Sequence, residues 1–349
     1  EYKMKFVNVT DKNFEDIFLV SAKYEQWQYV KHQIFDMVNN YAAVINGEYL
    51  PIPFLVYEND NVIGFVQVNY FDRKNLFEIC KLIVQETEQN KGYGKQILSE
   101  IIKWLCIRYG KGKIAANYKK SNSIADKLFS RSRFQKNVSE DEITAVMEIN
   151  NRMAEELESE FEEIPYSTVD EFADKIKKSG KYPEEIIGNK DGINFRKINM
   201  KDCSKIIEFK LLENQEDYIM PFVDSMAESY SDLFEEEITV TYGLCNGEEL
   251  VGLIEIRYVK GKDFPDLKDK MVYELFRILV DKEHQNKGYG TRGIKLFMDY
   301  VRKRPLGEAN DIVLSVVEGN NVALSLYESF GFKIIGGDKY EHIAMKYVQ

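Results

Sequence analysis

The hexapeptide Gln89-Asn90-Lys91-Gly92-Tyr93-Gly94 returns unchanged as Gln285-Asn286-Lys287-Gly288-Tyr289-Gly290, 196 positions later. Each copy follows an apolar strand-like run, residues 79–84 and 275–280. Each precedes a helical pattern: Ile97, Ile101, Ile102 and Leu105 in the first copy, and Ile294, Phe297, Met298 and Val301 in the second. A glycine turn that opens a helix leaves backbone N–H groups unpaired at the positive end of the helix dipole. Such a turn is a ready cradle for phosphate or pyrophosphate. The chain therefore reads as two anion-cradling units in tandem.

Other residues fall into step with the turns. Gln26, Tyr29, Met37 and Tyr41 lie 189 positions before Gln215, Tyr218, Met226 and Tyr230. Residues 61–66 match 249–254, and Glu78 and Glu274 each stand eleven residues before the turn glutamine. Asn122, Phe134 and Met147 pair with Asn320, Phe332 and Met345, 198 positions on. Offsets that change only at loops are what duplication with small insertions produces. The predicted organisation is one domain over 1–150, an acidic helical linker over 151–190 and a second domain over 191–349. Met153, Leu157, Phe161 and Ile164 give the linker its helical spacing. Each domain reads as a short strand, helices, a run of strands, the turn and its helix, then strand, helix and closing strands. That order predicts an α/β fold of the α+β kind, a central mixed β-sheet flanked by helices. In the second copy, residues 311–317 read as a buried strand, and Asn321 to Phe330 as a helix stopped by Gly331.

Charge and composition narrow the function. A net charge of −11 over 349 residues argues against nucleic acid as a partner, which would need a basic footprint. It suits a cationic small substrate. Cys80, Cys106, Cys203 and Cys245 fall in apolar stretches and are expected to be buried thiols. Three histidines give no His-rich metal site, so no metal is expected. No apolar run reaches about 18 residues, so no membrane span is expected, and a reducing, cytoplasmic setting follows.

Gly288, Gly290 and Gly293 also satisfy GxGxxG, but a dinucleotide fingerprint belongs directly after the first strand of its fold. Here the turn comes late, a polar run separates it from the strand, and Ile97 replaces the third glycine in the first copy. Neither copy has the GxxxxGK[ST] of a P-loop. Gln-x-x-Gly-x-Gly after an apolar strand is more specific, and residues 320–332 read Asn-x-x-Ala-x-x-Leu-Tyr-x-x-x-Gly-Phe. On these motifs the chain resembles the GNAT superfamily of N-acetyltransferases, twice over. Residues 211–230 resemble the helical region of bacterial diamine and polyamine acetyltransferases.

The resemblance implies acetyl-CoA as co-substrate. Ile278, Leu279 and Val280 would offer backbone groups to its pantetheine arm. Gln285, Asn286, Lys287, Gly288, Tyr289, Gly290 and Thr291 would hold the pyrophosphate, and Asn320 would meet the cofactor farther along. Tyr327 matches the family's general acid, and Glu274 stands where some members carry a general base. Arg277 is expected in the cleft rather than in the chemistry. The partner implied is a small-molecule amine, with Glu213, Glu216, Asp217 and Glu228 available to a polycation; a homodimer stays open.

The first copy departs from the pattern. Phe129 occupies the position of Tyr327, and Arg133-Phe134 replaces the closing Gly-Phe, while Asn122 and Ala125 remain. Phenylalanine has no proton to give. The first domain is expected to be a degenerate copy with a structural, cofactor-binding or substrate-shaping role, and Lys119 and Lys120 lie where they could reach a phosphate. Two other functions stay open: a non-catalytic acetyl-CoA-binding regulatory module, and acetyl transfer to an aminoglycoside, a peptide amine or a thiol-conjugate precursor.

Overall fold

The computed structural model describes residues 4–10, 12–150, 152–153, 186–190, 192–233 and 237–348. The chain divides into two compact units, Glu1–Asp174 and Lys175–Gln349. Most of the expected linker, residues 154–185, lies outside the described residues.

The first unit runs β1 (Met4–Asn8), α1 (Ile34–Asn46), β2 (Leu50–Glu58), β3 (Asn61–Phe71), β4 (Leu76–Val84) and α2 (Tyr93–Tyr109). It continues as β5 (Gly112–Lys119), α3 (Ser123–Ser130), β6 (Gln135–Val138) and β7 (Glu142–Ile149). The sheet order is β1-β2-β3-β4-β5-β7-β6. Asn59 and Asp60 both take positive φ (49° and 64°), the geometry of a tight hairpin turn between β2 and β3. Among the described residues of this unit the parallel pair is β4 with β5, which needs a crossover, and α2 supplies it. The apolar stripe foreseen for α2 is buried on the sheet: Ile97, Ile101 and Leu105 have no exposed surface, and Ile102 packs at the edge. Trp104 stands edge-on to Phe54 at 5.4 Å. Each such large side chain contributes about 1.5–3 kcal/mol by leaving water.

The second unit repeats the plan: β8 (Ile186–Lys190), β9 (Ile193–Lys197), α4 (Met200–Glu208), α5 (Phe222–Asp232), β10 (Ile238–Asn246), β11 (Glu249–Lys260) and β12 (Met271–Val280). Then come α6 (Tyr289–Val301), β13 (Asp311–Val316), α7 (Asn321–Ser329), β14 (Phe332–Gly337) and β15 (Ile343–Tyr347). Its order is β14-β15-β13-β12-β11-β10-β9-β8. Seven strands correspond to those of the first sheet. The eighth, β8, comes from the last five residues of the segment expected to be linker, and pairs antiparallel with β9. Arg196 on β9 donates two hydrogen bonds, 2.7 and 2.8 Å, to Asp202 of α4, so the first helix is tied to the sheet it covers. Ile294, Phe297, Met298 and Val301 of α6 are buried as their spacing foretold. Among the described residues no helix is long and apolar enough to cross a membrane.

Candidate active site

In both sheets the parallel pair separates after three residues. Val272, Tyr273 and Glu274 of β12 pair with Asp311, Ile312 and Val313 of β13, and pairing then stops although both strands continue. Leu76, Phe77 and Glu78 do the same with Lys113, Ile114 and Ala115. Backbone groups demand partners. From Leu275 to Val280, β12 keeps its pairing with β11 on one side and has no strand partner on the gap side, where alternate residues direct their backbone groups; the Val280 carbonyl is taken by Gln285.

A β-bulge sits at the start of each gap. Glu255 faces Arg277 while Ile256 faces Leu275, so Phe276 is the extra residue. In the first sheet Gln67 faces Lys81 and Val68 faces Ile79, leaving Cys80 extra. A bulge turns its extra residue out of the regular alternation. This corrects one expectation: Cys106, Cys203 and Cys245 are buried, but Cys80 is exposed, because the bulge turns it toward the gap.

The gap leads to the glycine turn. Asn286 and Gly288 adopt positive φ (61° and 74°), as do Asn90 and Gly92 (67° and 91°). Arg292 donates the first intrahelical bond, to Gly288 at 3.1 Å, so the amides of Tyr289, Gly290 and Thr291 lie ahead of it. A Cβ on Gly290 would meet nothing within 4 Å, so the space over this turn is open. A Cβ on Gly293 would come 2.9 Å from Ile278, which makes the third glycine a packing residue. Lys287 and Thr291 are exposed beside the turn. The Gln285 side chain is committed locally: its amide donates to the Val280 carbonyl (3.0 Å) and to Gln215 (2.7 Å). Gln89 does the same with Val84 (3.0 Å) and Gln26 (2.8 Å). The 189-offset glutamines thus fasten an early loop to the turn. Asn320 accepts from the Ala323 amide at 3.2 Å and caps α7, as Asn122 caps α3.

Tyr327 is half-buried on α7, edge-on to Phe332 at 6.0 Å. Burial pushes its hydroxyl up to about 12, so it holds its proton at neutral pH. Glu274 is 8 % exposed. Burial lifts its carboxyl to about 7, against the pull of Arg257; nearby Asp263 and Asp338 lift it further. Among the described residues no hydrogen bond or ion pair holds that carboxylate.

Beside the bulge lies a charged cluster. Arg277 pairs with Glu228 and with Glu255 (3.2 Å). Arg257, opposite Glu274 in register, pairs with Asp232 (2.7 Å), Glu228 (3.5 Å) and Glu255 (3.5 Å). Both guanidinium groups stack on Phe276, at 3.2 and 4.4 Å from its centroid. Glu255 is 2 % exposed, and burial raises it to about 7 despite the two arginines. Among the described residues of the first unit a smaller set stands there. There Gln67 exchanges amide hydrogen bonds with Asn40 (3.0 and 2.8 Å) and donates to Asn69 (2.9 Å). Lys81, at the Arg277 position, pairs with Asp36. Phe129 is 5 % exposed and stacks on Tyr118 at 5.5 Å.

The sequence profile of the acetyltransferase (GNAT) family matches residues 16–133 and again 208–332, more than half the chain. The chain belongs to the acetyltransferase (GNAT) family. Both units are GNAT domains, each a mixed sheet flanked by helices. A probable spermine N(1)-acetyltransferase of Bacillus subtilis subsp. natto (strain BEST195) is 28 % identical over 144 residues, covering 41 % of this chain and 90 % of that protein. The spermine/spermidine N(1)-acetyltransferase of Bacillus subtilis (strain 168) gives the same identity and coverage. Among solved structures, a PaiA N-acetyltransferase from Thermoplasma acidophilum in complex with coenzyme A is 21 % identical, with a TM-score of 0.34, covering 45 % of this chain and 99 % of that one.

Within this GNAT chain, sequence reasoning singled out Glu274, Arg277 and Glu228 but missed Asp232, Glu255, Arg257 and Phe276. Glu228 had been set beside Glu213, Glu216 and Asp217 as free for a polycation; it is engaged by two arginines, while the other three are exposed. A signal was available. Glu255 and Arg257 interrupt the apolar run of β11, and a strand buried on both faces tolerates charges only as pairs.

Proposed function

We propose that the second domain, 191–349, transfers the acetyl group of acetyl-CoA to a primary amine of a small, cationic, polyamine-like acceptor. The observation that carries this is the split between β12 and β13, whose open edge runs from the Phe276 bulge to the amides of α6. An amide-bearing arm fits along Ile278, Leu279 and Val280. Its pyrophosphate fits over the turn from Asn286 to Thr291, where the helix dipole and free N–H groups favour negative charge. A backbone N–H at the bulge polarises the acetyl carbonyl, as an oxyanion donor does.

The chemistry then needs little more than alignment and two proton transfers. The neutral amine nitrogen attacks the carbonyl carbon, and the carbon–sulfur bond breaks. Glu274 takes the amine proton, directly or through water; its pKa of about 7 leaves it a base at neutral pH. Tyr327 supplies the proton that the departing thiolate needs. Glu274, whose carboxylate no described group holds, offers an ammonium of a polycationic acceptor a place to bind, while Asp263 is already taken by Lys339 at 2.9 Å. The two Bacillus relatives named for spermine and spermidine support that choice.

Thiol release from acetyl-CoA across an amine panel tests both parts. Spermidine and spermine should be turned over well above monoamines. No release with any amine would remove the transferase assignment. Release confined to aminoglycosides or peptide amines would keep transfer and remove the polyamine.

A further inference from the structure

The connection from β11 to β12, residues 261–270, has no match in the first unit, where residues 72–75 join β3 to β4. It closes on itself. The Gly261 N–H donates to the Lys270 carbonyl (2.8 Å), Phe264 to Gly261 (3.0 Å) and Lys270 to Leu267 (2.9 Å). A compact loop of this kind packs with its own side chains. Phe264 and Leu267 are 3 % and 2 % exposed and form a small core with Val259, Val272, Val313 and Ala344. Asp263 pairs with Lys339 at 2.9 Å, which ties the loop to the turn between β14 and β15.

Val272 and Val313 fix the face that the loop covers. Alternate residues of a strand share a face, and Glu274 stands two residues beyond Val272 and pairs in register with Val313. Glu274 therefore lies on the covered face, beside the loop's apolar core. Glu78, its match, has no such cover. Leu76 and Val146, at the Val272 and Ala344 positions, are only half-buried, as is Glu78, which accepts from Asn117 at 2.8 Å. Ser315 stands at the Asn117 position, and its buried hydroxyl makes no hydrogen bond among the described residues.

We infer that the 261–270 loop is what makes the strand glutamate of the second unit a base: Phe264 and Leu267 are positioning residues that act through Glu274 by keeping water from its carboxylate. This rests on the transfer proposed above, in which Glu274 takes the amine proton. The charged neighbours do not supply the same effect. Arg257 and Arg277 favour the ionised form and oppose it. Asp263 is paired with Lys339, and Asp338 accepts from the amides of Tyr340 (2.8 Å) and His342 (3.0 Å). Lys346, beyond Val313, pairs with Asp311, and Glu228 and Asp232 of α5 are held by the two arginines. Exclusion of water is the leading cause, and the loop contributes it on this face.

Phe264→Ala and Leu267→Ala, each in the full chain, test this from two points of the loop. With spermidine, the rising limb of the pH–rate profile lies at about pH 7 in the unaltered protein. It should move down by about one unit or more in each variant, because a wetter carboxyl ionises earlier. The Kd for acetyl-CoA should stay within about twofold, and Phe264→Leu, which keeps an apolar cover, should return most of the shift. A limb that Glu274→Gln removes but both alanine variants leave in place would overturn the inference. A limb that Glu274→Gln does not touch would instead count against the base assigned above. Thermal unfolding gives a readout without turnover. Glu274→Gln should raise Tm at pH 8.5 in the unaltered background and raise it clearly less beside Phe264→Ala, where the carboxylate is already wet. Equal gains in the two backgrounds would overturn the loop's role whatever the rates do.

Discussion

Replacing Glu274 by glutamine should make the protein slower and, above neutral pH, more stable. Burial lifts this carboxyl from its ordinary 4.5 to about 7. The folded chain therefore holds the proton more tightly than the unfolded chain. That favours the folded state fully below about pH 4.5, and the benefit is lost as pH rises through about 7. The displacement corresponds to about 3 kcal/mol between those limits. An isosteric amide never ionises, so the variant escapes that loss. At pH 8.5 it should gain up to about 3 kcal/mol, a rise in Tm of up to about 10 °C for a unit of this size. At pH 4 the two proteins should melt together. Thermal unfolding between pH 4 and 8.5 reads this directly. The rate should respond in the opposite sense. Unaltered protein should gain activity through about pH 7 as Glu274 becomes a base, and the variant should lack that step. The deficit should shrink at high pH, where more amine is already neutral. A variant less stable at pH 8.5 would show that the carboxylate is held by a favourable partner and would refute the burial argument. Superimposable pH–rate profiles on spermidine would remove Glu274 as the base.

Three further outcomes are expected. Tyr327→Phe should lower kcat by about 10²-fold while the Kd for acetyl-CoA stays within about twofold, since only a proton donor is removed; Phe129→Leu should leave kcat nearly unchanged, and equal losses would contradict the asymmetry. Gly290→Asp should weaken acetyl-CoA binding to the second unit by at least about tenfold, because a carboxylate would enter the open space over the turn, and calorimetry that detects no loss would displace the pyrophosphate from α6. Arg257→Met should cost about 3–5 kcal/mol in urea unfolding by stranding Glu255 and Asp232, with part recovered by adding Glu255→Gln; a neutral outcome would show that the cluster is not mutually dependent.

What the sequence revealed follows from what repeats within it. The two turns, the α2 and α6 stripes and the start of α7 are local patterns, and each is found where its spacing placed it, with α7 ending one residue early at Ser329. The split of β12 from β13 was expected only through the family resemblance, not from any local pattern. It is a property of which strand β13 joins next, and it pairs with β15 on its other side. The bulges at Cys80 and Phe276 escaped for the same reason: one extra residue in a pairing is invisible until both partners are known. That is why Cys80 read as buried from its apolar neighbours alone. The charged cluster unites β11, β12 and α5, elements whose proximity no window of sequence displays. Gln285 and Asn320 show the converse. Both were picked out by motif, and both have their side-chain groups engaged in local hydrogen bonds that hold the turn and cap the helix.

The two copies differ in a way that their physics orders. A cradle made of backbone amides depends on φ, ψ and glycine, so it survives almost any change of the side chains around it, and the hexapeptide has survived intact. A side-chain hydroxyl is a single oxygen, present in Tyr327 and absent from Phe129. The charged cluster is costly as well. Carboxylates as buried as Glu255 carry a desolvation penalty of several kcal/mol each, which Arg257 and Arg277 offset only while every partner is present. In the first copy Gln67 and Asn69 stand at the Glu255 and Arg257 positions and, with Asn40, satisfy one another as amides, beside the one ion pair of Lys81 with Asp36. The two copies thus share the backbone cradle and differ in side chains: a hydroxyl at Tyr327 against Phe129, and a charged cluster against three amides and the Lys81–Asp36 pair.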